Sequence, residues 1–147
     1  KLNLAGIGLN MVRVRLASPF FKGRGGEVFN AWTRQHTGKA GTLSFLGFTD
    51  PDGYPRILPV IQAMSVSNNR ILLTPAPYKG LAQGLKDGDP ASIFAANLDM
   101  EAVLLKGRYR KLAGGLAAVD VDRVYNCMPP IHRYIYPPTP WQTVTEF

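Results

Sequence analysis

Two apolar runs flank the tetrapeptide Asp50-Pro51-Asp52-Gly53, and this junction constrains the fold more than any other stretch of the chain. Proline presets φ at the second position of a type I turn, the aspartate before it accepts a backbone hydrogen bond, and glycine suits the fourth position. The run from Gly41 to Thr49 alternates Leu43, Phe45 and the gap at Gly47 with polar or smaller neighbours. The run after the turn extends from about Tyr54 to Ser67, so the pair reads as a β-hairpin. Pro59 lies inside the second strand and has no N–H for a ladder, which requires an edge, a bulge or a ligand-facing break at that point. Ser67-Asn68-Asn69 tolerates left-handed backbone and Ile71 to Thr74 makes a third strand, so a three-stranded antiparallel meander is expected.

Beyond Thr74, the prolines at 75 and 77 stiffen a loop leading into a helix expected over about Gly80 to Lys86, stopped by Asp87-Gly88-Asp89-Pro90. Ala91 to Ala96 and Ala102 to Arg110 read as the fourth and fifth strands, with Gly107 a bulge or a site of close backbone approach. Leu116 to Tyr125 reads as a weak helix. The five prolines from Pro129 onward, with Tyr134, Tyr136 and Trp141, describe an extended segment that covers apolar surface. Upstream, Val12 to Leu16 alternates like a strand, while Leu2, Ala5, Leu9 and Val12 fit a helical stripe, and both readings stand open. Ser18 to Gly26 is a loop, followed by a short helix over about Glu27 to His36 with Gly38 as its C-terminal cap.

A chain of 147 residues can bury a single core without staples. The lone Cys127 excludes an intramolecular disulfide and any multi-thiolate site, and it suits a reducing, cytoplasmic setting. No apolar run reaches the length of a transmembrane helix, and no membrane partner is expected. The formal charge of +7 is unevenly placed: residues 1–40 hold seven cations against Glu27, and residues 41–147 hold ten against nine acids. A nucleic-acid surface would need cations interleaved with aromatics across residues 41–111, which lack that pattern, so nucleic acid is not the expected partner.

Motifs for serine hydrolysis, zinc proteolysis, P-loop binding and dinucleotide binding are absent, and with two histidines of unrelated spacing no metal site is expected. Cys127 has no basic neighbour in sequence and reads as a small buried hydrophobe. What remains is an anion-binding arrangement. Arg56 near the start of one strand, Thr74 at the end of the next, and Tyr78-Lys79 before a helix would let a guanidinium, a hydroxyl, an ammonium and free backbone amides meet one phosphate. The same residues also read as exposed charges beside a proline-rich loop.

The order of elements from Gly41 to Lys111 resembles the pyridoxamine 5'-phosphate oxidase-like, FMN-binding split-barrel superfamily. The resembling run holds the PDG hairpin, Arg56-x-x-Pro59-Val60, Ile71-Leu72-Leu73-Thr74, Lys79 before a helix, the Asp87-Gly88-Asp89-Pro90-Ala91-Ser92 strand start and Lys106-Gly107-Arg108. The resemblance implies a mainly β (α+β) split β-barrel of antiparallel strands with a few short helices. It divides one domain over 1–147 into a basic segment (1–40), a barrel core (41–111) and a helix-and-tail region (112–147). It further implies FMN as cofactor, with its phosphate on Arg56, Thr74 and Lys79 and its ring facing the backbone of Leu58, Pro59 and Val60. Gln62 would meet the pyrimidine edge of the ring. The expected assembly is a homodimer with the flavin at the interface, covered by Tyr134, Tyr136 or Trp141 of the second copy. The family's lysine at the end of the second-strand motif is Ile61 here, followed by Gln62, so vitamin B6 oxidation is not expected.

Two functions from different classes follow. The first is an FMN-dependent oxidoreductase that meets a small-molecule substrate or an electron-transfer partner. The second is a non-catalytic binding module for heme, a deazaflavin or another anionic cofactor, with His36 or His132 as the imidazole available to a heme.

Overall fold

The computed structural model describes residues 4–23, 25–39, 41–60, 63–78, 80–82, 84–128 and 132–138, with side chains from residue 8 onward. Its strands are β1 (Leu43–Thr49), β2 (Pro55–Pro59), β3 (Met64–Ser65), β4 (Arg70–Leu73), β5 (Pro90–Ala96), β6 (Ala102–Lys111), β7 (Ala117–Asn126) and β8 (Arg133–Tyr136). The helices are α1 (Leu4–Ala17) and α2 (Ala31–Gly38). All strand pairs are antiparallel, in the order β2-β1-β5-β6-β7-β4-β3, and β8 joins β7 beyond the stretch that β4 uses.

The two ends of that order, β2 and β3, are joined by residues 60–63 alone. Five residue steps reach at most about 18 Å, whereas six interstrand spacings laid flat would span about 29 Å. The sheet therefore curls until its edges approach. The chain is mainly β, a curled antiparallel sheet forming a split-barrel-like fold, with two α-helices among the described residues.

Curling gives the sheet an inside. Phe48, Leu58, Ile71, Ile93, Leu105, Val119 and Val124, drawn from six strands, share one core with Val28 and Phe29 from the segment before α2. Successive residues point to opposite faces, so Ile71 and Leu73 enter this core while Leu72 between them faces outward. There Leu72 meets Leu116, Ala118 and Val14 in a second, smaller cluster that seats α1 on the outer face of β4 and β7. On the same side of the sheet Arg70 of β4 grips Asp120 of β7 through Nε–Oδ1 at 2.5 Å and Nη2–Oδ2 at 2.9 Å, and Arg110 of β6 adds a contact at 3.1 Å. Burial raises the pKa of Asp120, but the Arg70 and Arg110 guanidiniums more than offset it and hold the carboxyl below its ordinary 3.8.

The Asp50 turn forms as read: the Asp50 carbonyl accepts from Gly53 N, and Oδ1 accepts from the amides of Asp52 and Tyr54. β2 is a sheet edge, which meets the requirement of Pro59. Four expectations are corrected. The run from Tyr54 to Ser67 breaks after Pro59 into β2 and β3 on opposite edges, so β4 pairs with β3 and β7 and no three-stranded meander forms. The helix expected over 80–86 is replaced by a 3-10 turn at Ala76–Tyr78 and further turns at its described positions, where Gly80 and Gly84 disfavour a helix. Leu116 to Tyr125 is strand, not helix. The bulge opposite Lys106 and Gly107 interrupts its period, so the inward valines fall at 119, 121 and 124. α2 starts at Ala31, where the Asn30 side chain caps Thr33 N at 2.8 Å, and Gly38 ends inside it rather than capping it. The open choice for Val12 to Leu16 is decided for helix.

Gly107 sits where the bulge brings two backbones together: a Cβ there would lie 1.9 Å from the Asp120 carbonyl oxygen. Gly107→Ala is expected to cost about 2–4 kcal/mol in urea unfolding, because backbone cannot give way as a side-chain tip does. Asp120→Asn is expected to cost about 1–3 kcal/mol at neutral pH. The native carboxyl titrates below 3.8, so its contribution is present above that value and lost as pH falls through the lowered one. The stability gap between wild type and variant should close over that acid window, and a gap independent of pH would remove the ion cluster as its cause.

Candidate functional site

The strand register aligns Ile57 of β2, Gly47 of β1, Ser92 of β5, Lys106 of β6 and Arg123 of β7 in one row across the outer face. Two residues along each strand, a parallel row runs Pro59, Phe45, Phe94, Leu104, Tyr125 and, through β8, Tyr134. Glycine and serine leave the middle of the first row without bulk, and a groove of about 600 Å³ lies over that dip. One wall is Phe45 and Phe94, with ring centroids 6.3 Å apart and tilted by 37°. Ser92 Oγ turns down to the Gly47 carbonyl at 3.4 Å, and a Cβ at residue 47 would lie 2.8 Å from Ser92 Oγ and displace it from that position.

Cations rim the groove. Lys106 and Arg123 face each other directly across β6 and β7, and both line it. Like charges opposite one another destabilise a strand pair. Arg123 meets Asp122 beside it at 3.3 Å, an exposed contact of little weight, and Lys106 has no ion pair among the described residues. At the β2 end, Arg56 Nε donates to Asp50 Oδ2 at 2.7 Å, and this hydrogen bond holds the Asp50 carboxyl below its ordinary value. Aromatic walls beside a shallow dip, with Lys106 and the weakly paired Arg123 at one end, suit a flat ring system carrying an anionic group.

The residues singled out from sequence fall in different places. Arg56 lines the groove, and Pro59 pairs with Phe45 at its side. Leu58 and Val60 are buried in the core, and Val60 N donates to the Ser44 carbonyl at 2.7 Å. Thr74 is fully buried, and its Oγ1 accepts from Ala76 N at 3.3 Å, closing the turn that follows β4. Tyr78 packs its ring against the main core. The groove that Arg56 lines does not reach Thr74, and the short 3-10 turn offers no helix terminus for an anion. Gln62, Lys79 and Trp141 lie outside the described residues. Gly47, Ser92, Phe94, Lys106 and Arg123 were not singled out as ligand-binding residues. Their signal is the outward parity of Phe45/Gly47, Ser92/Phe94 and Leu104/Lys106, which becomes a surface only once the register is fixed.

The other reactive groups are built into the fold. His36 is buried and stacked on Trp32 at 5.1 Å, its Nε2 is 3.2 Å from the Ala95 carbonyl and its Nδ1 is 3.6 Å from Glu101 Oε2. The cleft beside it, about 120 Å³, is too small for a porphyrin. His132 is exposed just before β8. Burial pushes the Cys127 thiol up, away from a thiolate nucleophile. Among the described residues no cluster of three metal-ligating side chains forms, and no helix is long and apolar enough to cross a membrane. Tyr134 meets Tyr125 edge to face at 5.1 Å, and Tyr136 packs against the core, so these two rings cover their own sheet.

No family model matches the chain, and no curated protein matches it. Among solved structures, an epitope- and histidine-tagged HupZ of Group A Streptococcus, determined at 1.70 Å, is similar at 12% identity, over 60% of this chain and 86% of that one, with a TM-score of 0.46. That likeness is too distant to bear on function.

The facing cations give a direct stability test of the site. Lys106→Gln should stabilise the ligand-free protein by about 0.2–1 kcal/mol, more at low salt than at high. A loss of stability at low salt would mean that Lys106 has a favourable partner and that the repulsion argued here is absent.

Proposed function

We propose that the chain is a binding protein for a planar, anionic cofactor-like molecule, held on the outer groove with its ring against Phe45 and Phe94 and its anionic group between Lys106 and Arg123. The observation that carries this reading is the directly opposed Lys106 and Arg123 beside the Gly47/Ser92 dip. An anion between them converts a repulsion into two charge-assisted hydrogen bonds. FMN, a deazaflavin and heme all answer to this description, and the pocket volume is in the range usual for such ligands. With FMN bound, hydride or electron transfer would belong to the flavin ring. The chain would hold it, orient it and limit access to it. The groove is open on its outer side, and a second copy of the chain is the proposed cover.

The test begins with the absorbance spectrum of the freshly purified protein, followed by titration with FMN and with hemin. Lys106→Gln and Arg123→Gln are each expected to raise Kd by about tenfold or more, as charge-assisted contacts of about 1.5–3 kcal/mol require. Unchanged affinity in both variants would overturn the site. Weakening by Lys79→Ala instead would move the anion to the loop after Thr74 and favour the FMN-oxidoreductase reading with the phosphate held by Arg56, Thr74 and Lys79.

A further inference from the structure

Among the described side chains of α1, Val14 is the one deeply buried against the sheet, at 1% exposure. On the opposite side of the helix Leu9 and Leu16 are each 71% exposed and Val12 is 53% exposed, and Phe20 just beyond the helix is 84% exposed. The spacing from 9 to 12 and 16 follows the three-and-four rhythm of a single helical face, and the exposed Phe20 follows in the 3-10 turn Ser18–Phe20. These side chains form a ridge standing away from the protein, not a groove. Arg13 and Arg15 flank it, α1 holds no acid, and Glu27 is the sole acid against seven cations in residues 1–40. Arg13 donates to the Gly114 carbonyl, which keeps its charge at the side of the ridge.

A second observation lies beside the helix. A groove of about 560 Å³ runs between α1 and the segment from α2 to β1, with Met11, Leu43 and Met64 as apolar lining and Arg15 and Lys39 among its cations. Lys39 makes an exposed contact with Asp99 at 3.5 Å and lies close enough to Glu101 to help hold that carboxyl below its ordinary value. Apolar lining next to two cations is the chemistry of an anionic amphiphile. An apolar ridge with flanking arginines is that of a helix lying in a membrane surface, where the aliphatic side chains enter the acyl boundary and the cations meet anionic headgroups.

We propose that α1 docks the protein on an anionic lipid bilayer, with the Leu9-Val12-Leu16-Phe20 ridge in the interface and a lipid headgroup between Arg15 and Lys39. The expectation of no membrane partner rested on the absence of a spanning run, and a surface helix needs none. A second copy of the chain fits this face less well. Two such helices would bring four arginines around the seam with no acid on either to pair with them, and two turns of apolar stripe are short for helix pairing.

Sedimentation of the whole chain with vesicles of phosphatidylcholine, with and without phosphatidylglycerol, tests this directly. Binding is expected on the anionic vesicles, at least about tenfold weaker on the neutral ones and released by salt. The exposed double variant Val12→Ser/Leu16→Ser should lose it by a similar factor, with an unchanged circular dichroism spectrum. Equal binding to both vesicle types, binding to neither, or full binding by the double variant would overturn the proposal. So would sedimentation velocity showing a wild-type dimer that the double variant makes monomeric, since a second copy would then cover the ridge. If the double variant loses its fold, the comparison of the two vesicle types with wild-type protein decides alone.

Discussion

The short connection from β2 to β3 is the constraint on which the rest of the structure depends. Residues 60–63 join the two ends of a seven-strand order, and a chain that short cannot cross a flat sheet. Curvature follows, and with it an interior for Leu58 and Ile71 to share although five pairings lie between their strands. Gly107 admits the bulge that brings β6 and β7 together, and the Arg70, Asp120 and Arg110 cluster ties β4, β7 and β6 on the outside of the bend. Apolar burial drives the curl, and the glycine and the ion cluster hold the strands together at the bend.

The same register builds the groove. Alternation sends Leu46, Phe48, Ile93 and Leu105 inward, and so sends Phe45, Gly47, Ser92, Phe94 and Lys106 outward. The outer surface is thus not a generic solvated face: it holds phenylalanines, a dip without side chains and two cations set against each other.

The basic N-terminal quarter has a structural context that its composition did not supply. Its helix is tethered by Val14 and by the Arg13 contact with the Gly114 carbonyl, and its apolar ridge points away from the sheet. The glycines at 23 and 25 serve packing, since a Cβ on either would strike the Asn69 side chain.

The sequence by itself determined the Asp50 hairpin, a break in the ladder at Pro59, strands close to 91–96 and 102–110 and an irregular or close-packed backbone at Gly107. Each rests on a local rule of backbone geometry: a preset φ, a missing N–H, a period of two or a missing Cβ. It misread the stretch 116–125, where a bulge breaks the period and pairing with β6 and β4 overrides helix propensity. It also joined β2, β3 and β4 into one meander, because no local signal says that a strand stops and resumes on the far edge. The candidate site was legible only at Arg56, which lines the groove, and at Pro59 beside it. Lys106 and Arg123 are seventeen positions apart and each reads alone as an ordinary surface cation. Only the tertiary structure sets them face to face, because a cross-strand neighbour is fixed by register, and register is set by which residues the whole curled sheet can bury.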